Sequence, residues 1–399
     1  MAQAPEIHGT AAEGFEELRA VFAENFALRG ERGAALALYR DGERVVDLWG
    51  GTADADAEEG AGRPWTGDTP VLLRSATKGV AATVLLLLAQ RGRIDLDAPV
   101  AEYWPEFAAR GKERVTVRQL LSHQAGVAAL DRPLTAAEAA DGVSGPAAVA
   151  RQRPLWAPGE THGYHAQTFS WLLGELVRRV DGRTLGGVLA EDVTELLGLD
   201  LWIGLPEEAQ PRAARIAEVA APEPGPGALR MRPRREVAAA YADPGSLTRR
   251  AFGTVAPQPD ENDPAWRAAE LPGSNGLATA RGLGGFYAAL GAGHILERPM
   301  LRRAAAVHAE GTDRVLLTRT RFGLGFMLHG SACPMTSPGA FGHPGRGGSL
   351  AFADPETGLA FAYVTNGMQP SVTSDPRAQA LVRAVRSAIA RGAGARMAA

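Results

Sequence analysis

Lysine occurs twice in this arginine-rich chain, at Lys78 and Lys112, and the first stands three residues after Ser75. A serine hydroxyl becomes a nucleophile only when a neighbouring base takes its proton. A lysine can be that base if apolar surroundings penalise its charge and lower its pKa, whereas an arginine never deprotonates. The run from Ala76 to Gln90 is almost wholly apolar and of helical composition, and Val71-Leu72-Leu73 leads into Ser75 as a short apolar segment. Ser75 is thus expected at a helix N-terminus, where free backbone N–H groups and the helix dipole favour a developing anion. Lys78 falls one turn later on the same face. The competing reading is a capped helix with a surface lysine.

Two further segments carry chemistry only conditionally. Tyr164-His165-Ala166 follows Trp156-Ala157-Pro158-Gly159-Glu160 and precedes a helix expected from Thr168. Its tyrosine is core or surface aromatic unless a cation lowers its pKa and a serine lies within hydrogen-bond reach. His343-Pro344-Gly345-Arg346-Gly347-Gly348 stands before a strand expected from Leu350. Its glycines let backbone approach a ligand and offer an N–H to an oxyanion, or simply make a tight connection between strands. No G-K-[ST] follows, so it is not a phosphate loop. His123 is read as satisfying a buried turn. His162 and His165 lack a third ligand at metal spacing, and Trp156, Trp171 and Trp202 are read as core or pocket wall. No metal and no cofactor are expected.

The elements that must position these residues follow from periodicity. Thr10 to Glu13 has the pattern of a capping box, and Phe15, Leu18, Phe22 and Phe26 predict a helix over 11–28. Ala34–Tyr39 and Arg44–Trp49 around Asp41-Gly42 predict a hairpin. Helices are expected near Thr116–Ser122, Thr168–Val180 and Leu185–Leu196. Pro206–Pro272, dense in proline and glycine around Pro222–Gly227, is expected to be loop with short structure at most. Phe322–Leu328, Leu350–Ala353 and Leu359–Thr365 predict strands, and Asp375-Pro376 opens a last helix bearing Leu381, Val382, Val385 and Ile389. The fold class is α+β: an antiparallel sheet assembled from both ends of the chain and flanked by the terminal helices. Residues 1–85 and 270–399 are expected to form the sheet domain, and 86–269 a mainly helical region with the long Pro/Gly-rich loop.

Bulk properties exclude several classes. The 399 residues carry a formal net charge of -3 and are 45% hydrophobic, enough for a large core and no argument for nucleic acid or an anionic membrane. The lone Cys333 rules out a disulfide framework and a multi-thiolate zinc site. The first residues show no basic segment followed by an apolar one, and Val80–Ala89 is too short to span a bilayer, so a cytoplasmic protein is expected.

Taken in order, Ser75-x-x-Lys78, Leu120-Leu121-Ser122-His123-Gln124-Ala125-Gly126, Pro158-Gly159 before Tyr164, and His343-Pro344-Gly345 resemble the class C β-lactamase family, nearest its family VIII carboxylesterases. The resemblance runs from about Ala34 to about Asn366 and implies a β-lactamase/transpeptidase-like fold. It implies Ser75 as nucleophile, Lys78 and Tyr164 sharing the base role, and Tyr164 protonating the leaving group. It places the oxyanion and substrate contacts at the Ser75 amide and at His343, Gly345 and Arg346. A cationic Lys78 would then lower the Tyr164 pKa toward a phenolate. Ala166 stands where β-lactamases have Asn, and His343-Pro344-Gly345 where they have Lys-Thr-Gly. Those departures favour a small neutral ester over a charged β-lactam or peptide terminus. The implied activity is ester hydrolysis through an acyl-serine, the alternatives being acyl transfer to an alcohol or amine and β-lactamase or D-peptidase action.

Overall fold

The computed structural model describes residues 5–58, 60–220 and 235–398. Its strands are β1 (Ile7–Ala11), β2 (Gly33–Arg40), β3 (Glu43–Gly51), β4 (Val71–Leu72), β5 (Leu201–Trp202), β6 (Ala217–Glu218), β7 (Leu277–Ala278), β8 (Ala309–Thr312), β9 (Arg319–Phe322), β10 (Met327–Leu328), β11 (Phe341–Pro344), β12 (Leu350–Asp354), β13 (Leu359–Thr365) and β14 (Gly367–Met368). Six helices matter most for the site: α1 (Glu17–Leu28), α2 (Thr77–Gln90), α3 (Thr168–Asp181), α4 (Leu247–Phe252), α5 (Ala280–Ala292) and α6 (Pro376–Ala398).

Nine strands form one antiparallel sheet in the order β1-β3-β2-β13-β12-β11-β10-β9-β8 among the described residues, so the two ends of the chain meet at the β2–β13 pair. Side-chain alternation explains what covers each face. Leu36 and Leu38 of β2 and Leu359, Phe361 and Tyr363 of β13 share a core with Leu18 and Phe22 of α1 and Leu381, Val382 and Val385 of α6. Each large side chain contributes about 1.5–3 kcal/mol on burial. The opposite face carries Ala35, Ala37, Ala360 and Ala362 against Leu283, Phe286 and Leu290 of α5. Small residues there let the helix approach closely: a Cβ on Gly284 would stand 3.3 Å from that of Ala37, and one on Gly291 3.3 Å from that of Ala353.

The chemistry is positioned by a second, three-stranded sheet, β4-β7-β5, at the foot of α2. Val71 pairs with Ala278, and Leu73 N–H donates to Gly276 O at 2.9 Å. Helix α2 then runs through the core with every residue from Thr77 to Leu88 buried, as an all-round apolar helix must.

Several expectations need correction. The first helix begins at Glu17, not at residue 11, because Thr10 pairs with Asp47 as part of β1. The segment 322–328 is two strands, β9 and β10, whose pairing turns through residues 323–326. His343 and Pro344 belong to β11 and do not merely precede a strand. The stretch from 206 to 272 holds, among the described residues, only short structure, as expected: α4 and the short helices Arg235–Ala242 and Pro264–Ala268 are its helices of five residues or more besides the turn Glu207–Arg212. Pro222–Gly227 lies outside the described residues. No helix among the described residues is long and apolar enough to cross a membrane.

Candidate active site

Between β4 and α2 the chain makes a single 3-10 turn, Arg74–Ala76, entered with Arg74 at φ +47°, a left-handed conformation that a non-glycine residue holds only under tertiary constraint. The constraint is visible. Thr77 Oγ1 donates to Arg74 O at 2.7 Å and accepts from Gly276 N–H at 3.0 Å. The Arg74 guanidinium is held by Glu261 at 2.5 Å and Glu218 at 2.8 Å. This leaves Ser75 half-buried at the start of α2 while its neighbours Ala76 to Lys78 are buried.

Lys78 is wholly buried, and its Nζ has three oxygen neighbours: Gly273 O at 2.7 Å, Ala166 O at 2.8 Å and Ser75 Oγ at 3.1 Å. Burial pushes its pKa well below the usual lysine value. A neutral amine has two hydrogens and one lone pair. Carbonyls can only accept, so as a neutral amine Lys78 gives both hydrogens to Gly273 O and Ala166 O and turns its lone pair to the Ser75 hydroxyl, whereas as an ammonium it donates to all three oxygens. Neither carbonyl has a side-chain signature, and neither position was expected from the sequence.

Tyr164 sits beside this pair, buried, with Lys78 Nζ 4.8 Å from its ring centroid and the Ser75 side chain near enough to act on its hydroxyl. Its ring stacks with Phe322, at 6.2 Å and 12°, and with His343, at 5.8 Å and 28°. Its amide donates to Asp313 Oδ1 at 3.1 Å, an oxygen that also takes the amides of Val315 and Leu316 at 2.8 Å. Burial raises Asp313 to about 6. Asp313 was not singled out in the sequence. Burial also raises the Tyr164 phenol, with the Ser75 hydrogen bond opposing it. The expected phenolate is therefore corrected. Desolvation acts on both partners, raising the Tyr164 phenol and lowering Lys78, so each is pushed toward its neutral form.

The histidines around Tyr164 are scaffold. His165 Nε2 accepts from Val127 N–H at 3.1 Å while its Nδ1 meets Gly163 O at 2.8 Å. His123, at φ +62°, takes the His165 amide on Nδ1 at 3.2 Å. His162 Nε2 lies 2.8 Å from Thr320 Oγ1. His343 is wholly buried, with Nδ1 at 2.8 Å from Pro344 O, so its ring backs Tyr164 instead of facing solvent. Burial holds His165 and His343 down at about 3, neutral rings both.

The 345–348 turn closes the other side. A Cβ on Gly345 would fall 2.3 Å from Leu73 O, so only glycine lets this turn lie against the segment carrying Ser75. Among the described residues the amides of Ser75 and Arg346 donate to no protein acceptor. Outward from the site, the Arg346 guanidinium lies 5.7 Å over the Phe252 ring of α4, which is 6.3 Å from Tyr164 and 5.8 Å from Tyr241. Ser75, Lys78 and Tyr164 thus lie together, with Gly345 packed on Leu73 beside Ser75 and the His343 ring against Tyr164.

Comparison with known proteins gives the family and the fold. The beta-lactamase family profile matches residues 18–384. An esterase/beta-lactamase from Mycobacterium tuberculosis, LipL, is 37% identical over 390 residues, covering 92% of this chain and 85% of that protein. The crystal structure of a family VIII carboxylesterase superposes with a TM-score of 0.83 at 38% identity, covering 96% of this chain and 100% of the other. A penicillin-binding protein homologue from Caulobacter crescentus gives 0.83 at 37% identity over the same shares.

Proposed function

This chain belongs to the beta-lactamase family, and from that premise we propose that it hydrolyses small carboxylic esters with Ser75 as nucleophile and neutral Lys78 as the base. The observation that carries the proposal is the pair of carbonyls, Gly273 O and Ala166 O, which leaves the Lys78 lone pair for Ser75. As Ser75 Oγ bonds to the ester carbon, Lys78 Nζ takes its proton. The oxyanion forms against the amides of Ser75 and Arg346. Collapse expels the alcohol, which takes a proton from the Tyr164 hydroxyl, and Lys78 returns one to Tyr164. Water then repeats the sequence on the acyl-Ser75, releasing the acid. Tyr164 thus relays protons as a phenol and needs no standing negative charge.

Turnover of β-lactams is a second reading, favoured by the double description of the Mycobacterium tuberculosis relative. Ala166 and His343 offer neither the amide nor the ammonium that the resembled β-lactamases place there, which supports esters first.

The test is Ser75→Ala with p-nitrophenyl esters of graded acyl length and nitrocefin in parallel. Ester turnover should fall by about 10^4-fold or more, and a fluorophosphonate should label the wild type at Ser75 alone. Labelling at another serine, with Ser75→Ala still active, would sink the assignment. Nitrocefin turnover matching the esters would promote the second reading.

A further inference from the structure

Arg377 is the second residue of α6 and is wholly buried, a costly place for a guanidinium unless its charge and all its donors are met. Its charge is met by Asp375, at 3.0 Å from Nε, and by Glu31, at 3.3 Å from Nη1. Its remaining hydrogens are aimed at two backbone carbonyls: Gly367 O at 2.7 Å and Gly347 O at 2.5 Å. Gly347 is the residue after Arg346, whose amide has no protein acceptor among the described residues.

The surrounding peptides are fixed one by one. Gly345 O accepts from Gly348 N–H at 3.1 Å, and Gly347 N–H donates to Ser371 O at 3.0 Å. Gly347 O accepts from Gln369 N–H at 3.1 Å as well as from Arg377. Arg346 O faces Arg74 Nη1 at 3.5 Å. Glycine at 348 is what admits the guanidinium, since a Cβ there would stand 2.3 Å from Arg377 Nη2. Glu31 is in turn gripped by Thr365 Oγ1 at 2.6 Å and by the Tyr363 hydroxyl. The clamp is therefore anchored in β13 at the centre of the sheet.

We propose that Arg377, held by Asp375 and Glu31, is a positioning residue for catalysis: it fixes the 346–347 backbone so that the Arg346 amide points at the oxyanion forming on an ester bound to Ser75. The inference rests on the oxyanion role given to the Arg346 amide above. Of the hydrogen bonds Arg377 itself makes, the shortest goes to this turn.

The experiment uses the full-length enzyme and matched pairs of p-nitrophenyl esters and thionoesters. Sulfur is larger and a weaker acceptor than oxygen, so a rigid oxyanion hole favours the oxygen ester. Arg377→Lys keeps the charge but cannot span Gly347 O and Gly367 O together. Asp375→Asn keeps Arg377 paired with Glu31 and retains a good helix cap, so it serves if the lysine variant does not fold. In whichever variant folds, kcat for the oxygen ester should fall by about 10- to 100-fold, short of deleting an oxyanion donor outright. KM should change little, and the oxygen-over-sulfur preference should shrink. Equal loss on both esters, or unchanged kcat in a folded variant, overturns the clamp. A wild type with no oxygen preference would instead remove the oxyanion reading itself.

Discussion

A lysine with two carbonyls as neighbours is a different base from a lysine beside a phenolate, and the distinction can be measured. If Lys78 must be neutral to accept the Ser75 proton, activity falls as pH drops through its lowered pKa, because protonation fills the lone pair. Lys78→Arg keeps charge and length yet has no such pair, and should lose at least about 10^3-fold at every pH, with circular dichroism unchanged. Substantial activity in that variant would make Lys78 an electrostatic partner only. Tyr164→Phe removes just the hydroxyl. If Tyr164 relays protons as a phenol, kcat should drop by about 10^2- to 10^4-fold, with the acid limb of the pH profile unmoved because it belongs to Lys78. An acid limb that vanished with the hydroxyl would restore the coupled phenolate. At this scale the sequence showed Ser75 and Lys78, since both carry side-chain chemistry at a telling spacing. It could not show Gly273 O or Ala166 O, because a carbonyl is offered by every residue. Arg377 was equally hidden among many arginines, its burial set by contacts with Glu31, 346 positions away.

Helix α2 explains why the site sits where it does, and Gly79 explains how α2 can lie so close to its neighbours. A Cβ on Gly79 would stand 2.3 Å from the Tyr287 hydroxyl of α5 and 3.2 Å from the Phe326 ring. That hydroxyl is buried and has no hydrogen-bond partner among the described residues. Gly79→Ala should therefore destabilise the fold by about 1–3 kcal/mol through overpacking, despite the better helix propensity of alanine. Tyr287→Phe removes an unpaired polar atom and should stabilise by about 1 kcal/mol. The double variant should recover most of the Gly79→Ala loss, because the clashing atom is gone. Denaturant midpoints for all four proteins form the cycle that checks it. Additive effects would mean the two residues do not share the contact. The helix itself was legible as an apolar run, and so were the hairpin and β12–β13, whose periods are strong. The short strands β8 and β11 were not, because four residues cannot establish a period and their pairing is decided by neighbouring strands.

Across the whole molecule, the buried rings behind Tyr164 make stability depend on pH in a direction that can be worked out. His165 and His343 titrate near 6.5 when unfolded and are held at about 3 in the fold. Between those values the unfolded chain binds more protons, so stability is full above pH 6.5 and is lost as pH falls toward 3. Asp313 acts oppositely, since its rise from 3.8 to about 6 makes the fold bind more protons in that window. Two rings displaced further than one carboxyl should prevail, and the melting temperature should fall steadily from pH 7 to pH 4. Cys333 offers an independent report. It is wholly buried, its thiol is pushed up to about 12, and it is the only cysteine in the chain. A disulfide reagent active in acid, such as 4,4'-dithiodipyridine, should reach it only through opening of the core it shares with Tyr164 and Phe322. Its labelling, corrected by a free thiol at each pH, should accelerate as pH drops below 6.5. His165→Gln, which can still accept from Val127 N–H but cannot gain a proton, should flatten that rise. Labelling that stayed constant from pH 7 to pH 4, or rose equally in the glutamine variant, would show that acid acts elsewhere than on these rings.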